Sequence, residues 1–172
     1  MTAPAQDDVA TVRRIAGGER AFAEIRDLTD AIVERFHDAH RRELPELIRL
    51  AERVEMVHRD CAETPSGLAD VLRRMLGDLT THMAKEEIVV FPRMRRGGGA
   101  APLDRPLAAL IAEHDRHAVQ LVHLRAMTND FTPPVGACSK WRALYAGLAQ
   151  FAADLAEHIA IENEALFPRF AS

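Results

Sequence analysis

Two segments of this sequence pair a histidine with a glutamate four positions later. The pairs are His82 with Glu86 and His158 with Glu162. Residues four apart in an α-helix lie one turn apart on the same face, so each pair can direct an imidazole and a carboxylate at one point. Imidazole nitrogen and carboxylate oxygen bind first-row metals such as iron, manganese and zinc. The two pairs therefore predict a metal site.

Both pairs belong to an internal repeat. Each continues at the same distance into the tripeptide Phe-Pro-Arg, which begins at Phe91 and at Phe167. Upstream, each half carries a His-Asp-x-His tetrapeptide, which begins at His37 and at His114. A single His–Glu pair is usually a surface ion pair, and a single buried histidine is usually a hydrogen-bonded core residue. Repetition in register instead favours ligands that converge from both halves.

The tetrapeptides supply the remaining histidines, but spacing does not decide which one of each. The choice lies between His37 and His40 in the first half, and between His114 and His117 in the second. Four imidazoles and two carboxylates suit two metal ions that are bridged by the glutamates and each capped by two histidines. With the first histidine of each tetrapeptide, the predicted ligands are His37, His82, Glu86, His114, His158 and Glu162.

Three acidic residues could support these ligands from outside. Asp78 and Asp154 lie four residues before the motif histidines, and Glu113 directly precedes a predicted ligand. Each could accept the outer ring N–H of a ligand histidine and so select its tautomer. For Asp78 and Asp154, an ordinary position on the helix surface is an equally good interpretation.

His58 has no counterpart in the repeat. In a straight helix it would lie about 31 Å from His37, too far to share a site unless the chain reverses near Pro45. It therefore stays outside the predicted ligand set, as a possible additional ligand. His123 is predicted to lie on the surface.

Apolar residues recur at intervals of three and four, which predicts four long helices and no strand. Helix-breaking segments rich in glycine and proline separate them. The first helix begins near residue 19 or 21 and continues past Pro45, which could kink or restart it. The predicted fold is all-α, an antiparallel up-down-up-down four-helix bundle with an internal pseudo-twofold helical-hairpin repeat. The other predicted helices span 68–91, 103–129 and 138–166, and residues 1–18 form a flexible N-terminal segment before the domain at 19–172.

Composition excludes several classes of partner. The net charge is −4 and no basic stripe is present, so nucleic acid is not an expected partner. No run of about 18 apolar residues occurs, and the first ten residues lack the apolar core of a signal peptide. Cys61 and Cys138 lie far apart and match no metal-binding spacing, so reduced thiols are expected. These features predict a cytoplasmic protein that does not associate with membranes.

The motif set resembles the hemerythrin-like superfamily. More specifically, it resembles the di-iron domain of bacterial repair of iron centres proteins, over residues 25–170. The matching motifs are the tetrapeptides at His37 and His114, Leu44-Pro45-Glu46-Leu47, Val57-His58, the two His–Glu pairs with their Phe-Pro dipeptides, Thr132-Pro133-Pro134, and Ala137-Cys138 with Trp141 and Tyr145.

This resemblance implies two iron ions in an oxo- and carboxylate-bridged centre, held by the first histidine of each tetrapeptide and the two His–Glu pairs. It implies a role in nitrosative and oxidative stress defence, with repair of iron–sulfur clusters by iron supply or nitric oxide chemistry. The partners would be nitric oxide, dioxygen and damaged iron–sulfur proteins. Relatives commonly add an N-terminal domain with adjacent cysteines, but no cysteine precedes His37 here.

Two other functions fit the same ligands. One is a module that reversibly binds or senses dioxygen or nitric oxide, although oxygen-binding hemerythrins use five histidines and only four are assigned here. The other is a metal store, for which the sequence offers no recognisable acidic exit channel. The residues do not separate catalytic turnover from binding.

Overall fold

A computed structural model of the protein describes residues 23–97 and 102–170. Within these two ranges the chain is all-α, with four long helices and no strand. The N-terminal segment 1–18, which was predicted to be flexible, lies outside the described residues. None of the described helices combines the length and the apolar character that crossing a membrane requires.

The first two helices contain three of the six predicted ligands. Helix α1 extends from residue 23 to Val57. It includes a π-helical turn, Val33–His37, which is followed by the α-helical segment Asp38–Val57. Helix α2 comprises Leu68–Lys85, a π-helical turn Glu86–Val90, and a last α-helical turn Phe91–Met94. Pro45 lies inside α1 and does not end it, and Leu44 and Leu47 are buried on either side of the proline.

The last two helices contain the C-terminal ligands. Helix α3 is Asp104–Met127. Helix α4 comprises Ser139–Ile161, a π-helical turn Glu162–Leu166, and a 3₁₀ turn Phe167–Arg169. The predicted boundaries of α2, α3 and α4 agree with these to within a few residues, but the π-helical turns were not predicted.

Proline follows two of the three π-helical turns. In each turn the closing backbone N–H, from Phe91 or Phe167, reaches the carbonyl five residues earlier, on Glu86 or Glu162. The next residue is proline in both helices, and it has no N–H with which to continue an α-helical ladder. A π-helical turn adds one residue to the helix, and such turns occur frequently at functional sites.

Buried apolar residues form two clusters at different levels along the helices. The larger cluster includes Leu44, Met75 and Phe151, and the smaller includes Ile32, Phe91 and Phe167. Along α1, α3 and α4, the buried histidines and glutamates lie between the residues of one cluster and those of the other. Along α2 the same is true of Glu86, while His82 directly precedes Met83, the last residue of the larger cluster on that helix. The polar side chains thus form a layer that is sealed by apolar packing above and below, where an uncompensated charge would be costly.

Candidate metal centre

The polar layer holds all six predicted ligands. Each is at most 1% exposed to solvent. His37 comes from α1, His82 and Glu86 from α2, His114 from α3, and His158 and Glu162 from α4. Six ionisable side chains so completely buried need strong mutual compensation or a bound cation.

These side chains divide into two donor groups. The first donor group is His37, His158, Glu86 and Glu162; the second is His82, His114, Glu86 and Glu162. In each group the candidate ligand atoms all lie within 4.8 Å of one another. The two histidines of a group face each other through Nε2, at 3.1 Å in the first and 3.0 Å in the second.

Both glutamates belong to both donor groups, and each uses its two oxygens separately. Glu86 Oε2 lies 3.4 Å from Nε2 of His37, while its Oε1 lies 3.3 Å from Nε2 of His82. Glu162 Oε1 lies 3.2 Å from Nε2 of His158, while its Oε2 lies 3.1 Å from Nε2 of His114. Each carboxylate therefore spans the two groups, as a bridging ligand does.

These separations match those expected around a metal ion. Donor atoms about 2.1 Å from one first-row ion lie about 3.0 Å apart at a right angle and about 3.4 Å apart at a tetrahedral angle. The measured Nε2–Nε2 and Nε2–carboxylate distances run from 3.0 to 3.4 Å. All four oxygens of Glu86 and Glu162 are buried and have no hydrogen-bond partner among the described residues. Buried carboxylates are seldom left in this way, so the residues fit a bound cation.

Three of the four histidines are oriented from behind by a hydrogen bond from Nδ1. His37 pairs with Glu87 Oε1 at 2.6 Å, and His82 pairs with Glu113 Oε2 at 2.8 Å. The third pair is Nδ1 of His114 with Oδ1 of Asn163, at 2.8 Å. An N–H donated from Nδ1 leaves the Nε2 lone pair free for a metal ion. Nδ1 of His158 has no such partner among the described residues.

Phenylalanine rings fix the planes of the imidazoles. Phe91 stacks on His37, with ring centroids 5.9 Å apart, and Phe167 stacks on His114 at 5.6 Å. These two phenylalanines begin the repeated Phe-Pro-Arg tripeptides, and each directly follows a π-helical turn. The repeated tripeptide therefore places an aromatic wall behind a histidine of another helix.

The buried carboxylates of the polar layer stabilise positive charge in the donor groups. Burial alone would lower the pKa of the His82 imidazole, but the Glu86 and Glu113 carboxylates raise that pKa to about 9. Burial would likewise lower the pKa of His37, and Glu86 and Glu87 raise it. Burial alone would raise the pKa of Glu162, yet His158 and His114 hold that pKa well below its usual range. A bound metal cation would supply positive charge at the same place.

The second histidine of each tetrapeptide lies in the layer but outside both donor groups. His40 is fully buried, and neither ring nitrogen has a hydrogen-bond partner among the described residues. Burial, reinforced by His158 and other nearby histidines, lowers the pKa of His40 to about 3. His117 is 3% exposed and its Nδ1 lies 3.0 Å from Oε1 of Gln120. The donor groups thus contain the first histidine of each tetrapeptide, His37 and His114, and neither His40 nor His117.

The remaining polar candidates occupy different places. Asp78 and Asp154 do not contact the ligand histidines through hydrogen bonds; their carboxylates accept from Gln120 and Gln150. Glu113 Oε2 forms a hydrogen bond with Nδ1 of a predicted ligand, but that residue is His82 on another helix rather than the adjacent histidine.

The other two histidines lie outside the polar layer. His58 caps the C-terminal end of α1 and contacts Cys138, outside both donor groups. His123 is exposed on the surface of α3, as its sequence position suggested.

One surface cavity reaches the edge of the polar layer. It measures about 200 Å³ and is lined by Asp78, Thr81, Lys85, Glu113, Arg116 and His117. Two of these residues contact His82: Glu113 through its hydrogen bond and His117 through its ring, with centroids 5.3 Å apart. At this cavity a single layer of side chains separates the second donor group from solvent. A second cavity, of about 260 Å³, is lined in part by Glu87 and Phe91, which both contact His37 of the first donor group.

Glu87→Ala is expected to weaken metal binding about 10- to 100-fold, because His37 loses the acceptor that fixes its tautomer and ring orientation. Glu87→Gln should cost less, since an amide oxygen serves the same purpose at His114. Arg41→Ala is the matched control, because Arg41 also pairs with Glu87, at 2.7 Å, but does not contact His37 through a hydrogen bond. Competition with a chromophoric chelator measures these affinities. Equal affinities for Glu87→Ala and Arg41→Ala would contradict the orienting role.

Comparison with known proteins agrees with this geometry. Residues 20–170 match the family described as the hemerythrin HHE cation-binding domain. The chain is 48% identical over 147 residues to the iron-sulfur cluster repair protein YtfE of Musicola paradisiaca and to that of Dickeya chrysanthemi, covering 86% of this chain and 66% of each relative. It is 48% identical over 143 residues to the YtfE protein of Yersinia pseudotuberculosis, covering 83% of this chain and 64% of that relative.

The chain thus spans slightly less than two thirds of the length of these relatives. The family match, by contrast, covers most of the chain and includes every residue of the two donor groups. A buried cluster of histidines and glutamates able to hold a metal ion is what a cation-binding domain of this kind requires. The chain belongs to the hemerythrin HHE cation-binding family.

Proposed function

We propose that this domain holds two iron ions, one in each donor group, and acts in nitrosative and oxidative stress defence by supporting the repair of iron–sulfur clusters. The observation that carries the proposal is that Glu86 and Glu162 each direct one oxygen at each donor group. The relatives named as iron–sulfur cluster repair proteins support the choice of role.

Six side chains serve as ligands in this proposal. His37 and His158 would hold one ion, His82 and His114 would hold the other, and Glu86 and Glu162 would each donate to both. Imidazole with carboxylate suits iron. Bound iron would supply one-electron redox chemistry and coordination of nitric oxide or dioxygen, and in cluster repair it is also the cargo. The protein's own contribution is to orient the imidazoles through Glu87, Glu113 and Asn163 and to exclude bulk water.

We also infer an antiparallel up-down-up-down bundle over residues 19–172. The contacts between α1 and α2 support it. In successive contacting pairs the residue number falls on α1 as it rises on α2, which is the pattern of antiparallel helices. Glu55 accepts from the backbone N–H of Ala69, Glu52 pairs with Arg73, and Arg41 pairs with Glu87. Helices α2 and α3 follow the same rule, in the pairs Asp78 with Gln120 and Lys85 with Glu113.

A pseudo-twofold repeat of two helical hairpins is part of the same proposal. Residues at equivalent positions of the two halves make equivalent contacts, which supports this proposal. Phe91 and Phe167 each stack on the histidine of the preceding helix. The residues directly after the two glutamates, Glu87 and Asn163, each bond to Nδ1 of that same histidine.

The test of function begins with the purified chain, reconstituted with ferrous iron under anaerobic conditions. We expect about two irons per chain and an absorption band typical of a bridged ferric pair after oxidation. Incubation of the loaded protein with an iron–sulfur enzyme inactivated by nitric oxide should restore activity to that enzyme. A His82→Ala protein mixed with the same amount of free iron is the control. Equal recovery with this control would contradict a repair role.

Reversible binding or sensing of dioxygen or nitric oxide is the second candidate. It is favoured by the enclosure of the donor groups, because Phe36, Phe91 and Phe167 stack on three of the ligand histidines and all four histidines are at most 1% exposed. Such a sheltered site would protect a bound gas from solvent. A stable adduct that forms and dissociates on cycling dioxygen or nitric oxide, without iron transfer, would favour this candidate over repair.

A further inference from the structure

His58 and Cys138 form a second cluster of reactive groups, away from the polar layer. Nε2 of His58 lies 3.2 Å from Sγ of Cys138. Both side chains are partly exposed. His58 is 21 residues beyond His37 on one continuous helix, which places the pair about 30 Å from the donor groups. No role in metal binding accounts for this contact.

The surroundings of Cys138 stabilise a thiolate. The residue is the N-cap of α4, where the unpaired N–H groups of the first helical turn carry partial positive charge. The hydrogen bond with His58, followed by backbone N–H groups of Trp141 and Lys140, lowers the pKa of the Cys138 thiol. An adjacent imidazole and a helix N-terminus are two features that make a cysteine nucleophilic in proteins.

His58 is held in place for this contact. Its backbone carbonyl accepts hydrogen bonds from the N–H of Cys61, at 2.8 Å, and from Oγ1 of Thr64, at 2.5 Å. Its ring packs against Trp141, with centroids 4.9 Å apart, and Trp141 is only 1% exposed. The His58 imidazole is therefore already positioned beside Cys138, whereas a flexible surface histidine would first have to be ordered there.

The second cysteine of the chain provides an internal comparison. Cys61 is also partly exposed, but its thiol donates to a carboxylate, Oε2 of Glu63, at 3.0 Å. A carboxylate repels a thiolate, whereas an imidazole N–H can donate a hydrogen bond to it. The two cysteines are thus both partly exposed, but Cys61 contacts a carboxylate and Cys138 contacts an imidazole.

We infer that Cys138 and His58 form a reactive thiolate–imidazole site that takes up small thiols from low-molecular-weight disulfides as a mixed disulfide. The Cys138 thiolate attacks one sulfur of the disulfide, the S–S bond of the reagent breaks, and a new S–S bond forms to Cys138. The second half of the reagent leaves as a thiolate, which takes up the proton that Cys138 had shared with His58. The reagent is the oxidant, and no other electron acceptor is needed.

The test exposes the iron-loaded full chain to glutathione disulfide at neutral pH and follows each cysteine by peptide mass spectrometry. Cys138 should acquire glutathione at least about tenfold faster than Cys61. His58→Gln should slow modification of Cys138 about tenfold and move the midpoint of its pH–rate profile upward, leaving Cys61 and the iron content unchanged.

A second variant separates reactivity from simple exposure. Glu63→Gln should raise the rate at Cys61 toward that at Cys138 without altering Cys138. Alkylation by iodoacetamide, which needs a thiolate but no disulfide, should rank the two cysteines in the same order. Equal rates at Cys138 and Cys61, or a Cys138 rate unchanged in His58→Gln, would overturn the inference. Iron content is measured separately, so these experiments can contradict the Cys138–His58 site without contradicting the proposed metal centre.

Discussion

Replacing His82 or His158 with alanine is expected to remove most of the iron that the chain holds after anaerobic reconstitution. Each of them contributes one of the two imidazoles of its donor group. Nε2 of His82 lies 3.0 Å from Nε2 of His114, and Nε2 of His158 lies 3.1 Å from Nε2 of His37. Losing an outer hydrogen-bond partner alone costs about 10- to 100-fold in metal affinity, and losing the ligand itself should cost more. Iron should fall from about two per chain to well below one, measured by a colorimetric assay after acid release.

His123→Ala is the matched control, because His123 lies exposed on α3 and contacts neither donor group. It should retain full iron content. His40→Phe is a stricter control, since it changes a histidine inside the polar layer that belongs to neither group. Full iron content in both ligand variants would show that the donor groups are not the metal site.

The second large effect is a loss of stability on removal of the metal. A ligand that binds only the folded protein stabilises it by about 4 kcal/mol when its free concentration is a thousand times its dissociation constant. In a domain of this size each kcal/mol shifts the unfolding midpoint by roughly 2–4 °C, so loading with iron should raise the midpoint by about 8–16 °C. The physical reason is the buried polar layer, in which none of the residues that the structure describes donates a hydrogen bond to the oxygens of Glu86 and Glu162.

Thermal unfolding followed by circular dichroism, with and without a strong chelator, measures this difference. His58→Gln should show the full metal-dependent shift, because His58 lies at the far end of α1. His82→Ala should lose most of it. An unfolding midpoint that is the same with iron and with chelator would mean that the layer is compensated by protein groups alone.

The convergence of the two His–Glu pairs in the donor groups could be predicted because two independent regularities coincide in the sequence. Spacing of four places His82 with Glu86 and His158 with Glu162 on common helix faces, and the repeat supplies the same pattern twice. The four helices could also be predicted, since apolar periodicity and proline- or glycine-rich breaks are both strong local signals. Spacing left the choice within each tetrapeptide open, because residues three apart also share a face.

The outer hydrogen bonds could not be predicted from local sequence. Glu87 and Asn163 follow the ligand glutamates directly, yet each bonds to a histidine on the preceding helix. Such partners depend on how helices pack, and sequence neighbours mislead: Glu113 adjoins one ligand and bonds to another. A usable signal did exist, because Glu87 and Asn163 occupy the same place in the repeat and both offer an acceptor oxygen.

The π-helical turns were missed for a related reason. They keep the helical direction, so apolar periodicity through Glu86 and Glu162 is disturbed by only one residue. Because proline is typical of a helix end, the predicted helices 68–91 and 138–166 stop before Pro92 and Pro168. Each proline instead follows the extra residue that brings Phe91 and Phe167 against the histidines.

Each donor group takes one histidine and one glutamate from α1–α2 and one of each from α3–α4. A bound metal ion is therefore a noncovalent crosslink between the two halves of the chain, and neither half can complete a site alone. One half paired with a second copy of itself would, however, supply an equivalent set of six donors by symmetry. Under the pseudo-twofold repeat proposed above, the arrangement would be that of a homodimer whose two subunits have been fused, and a metal ion bound in either donor group would lie between the two halves.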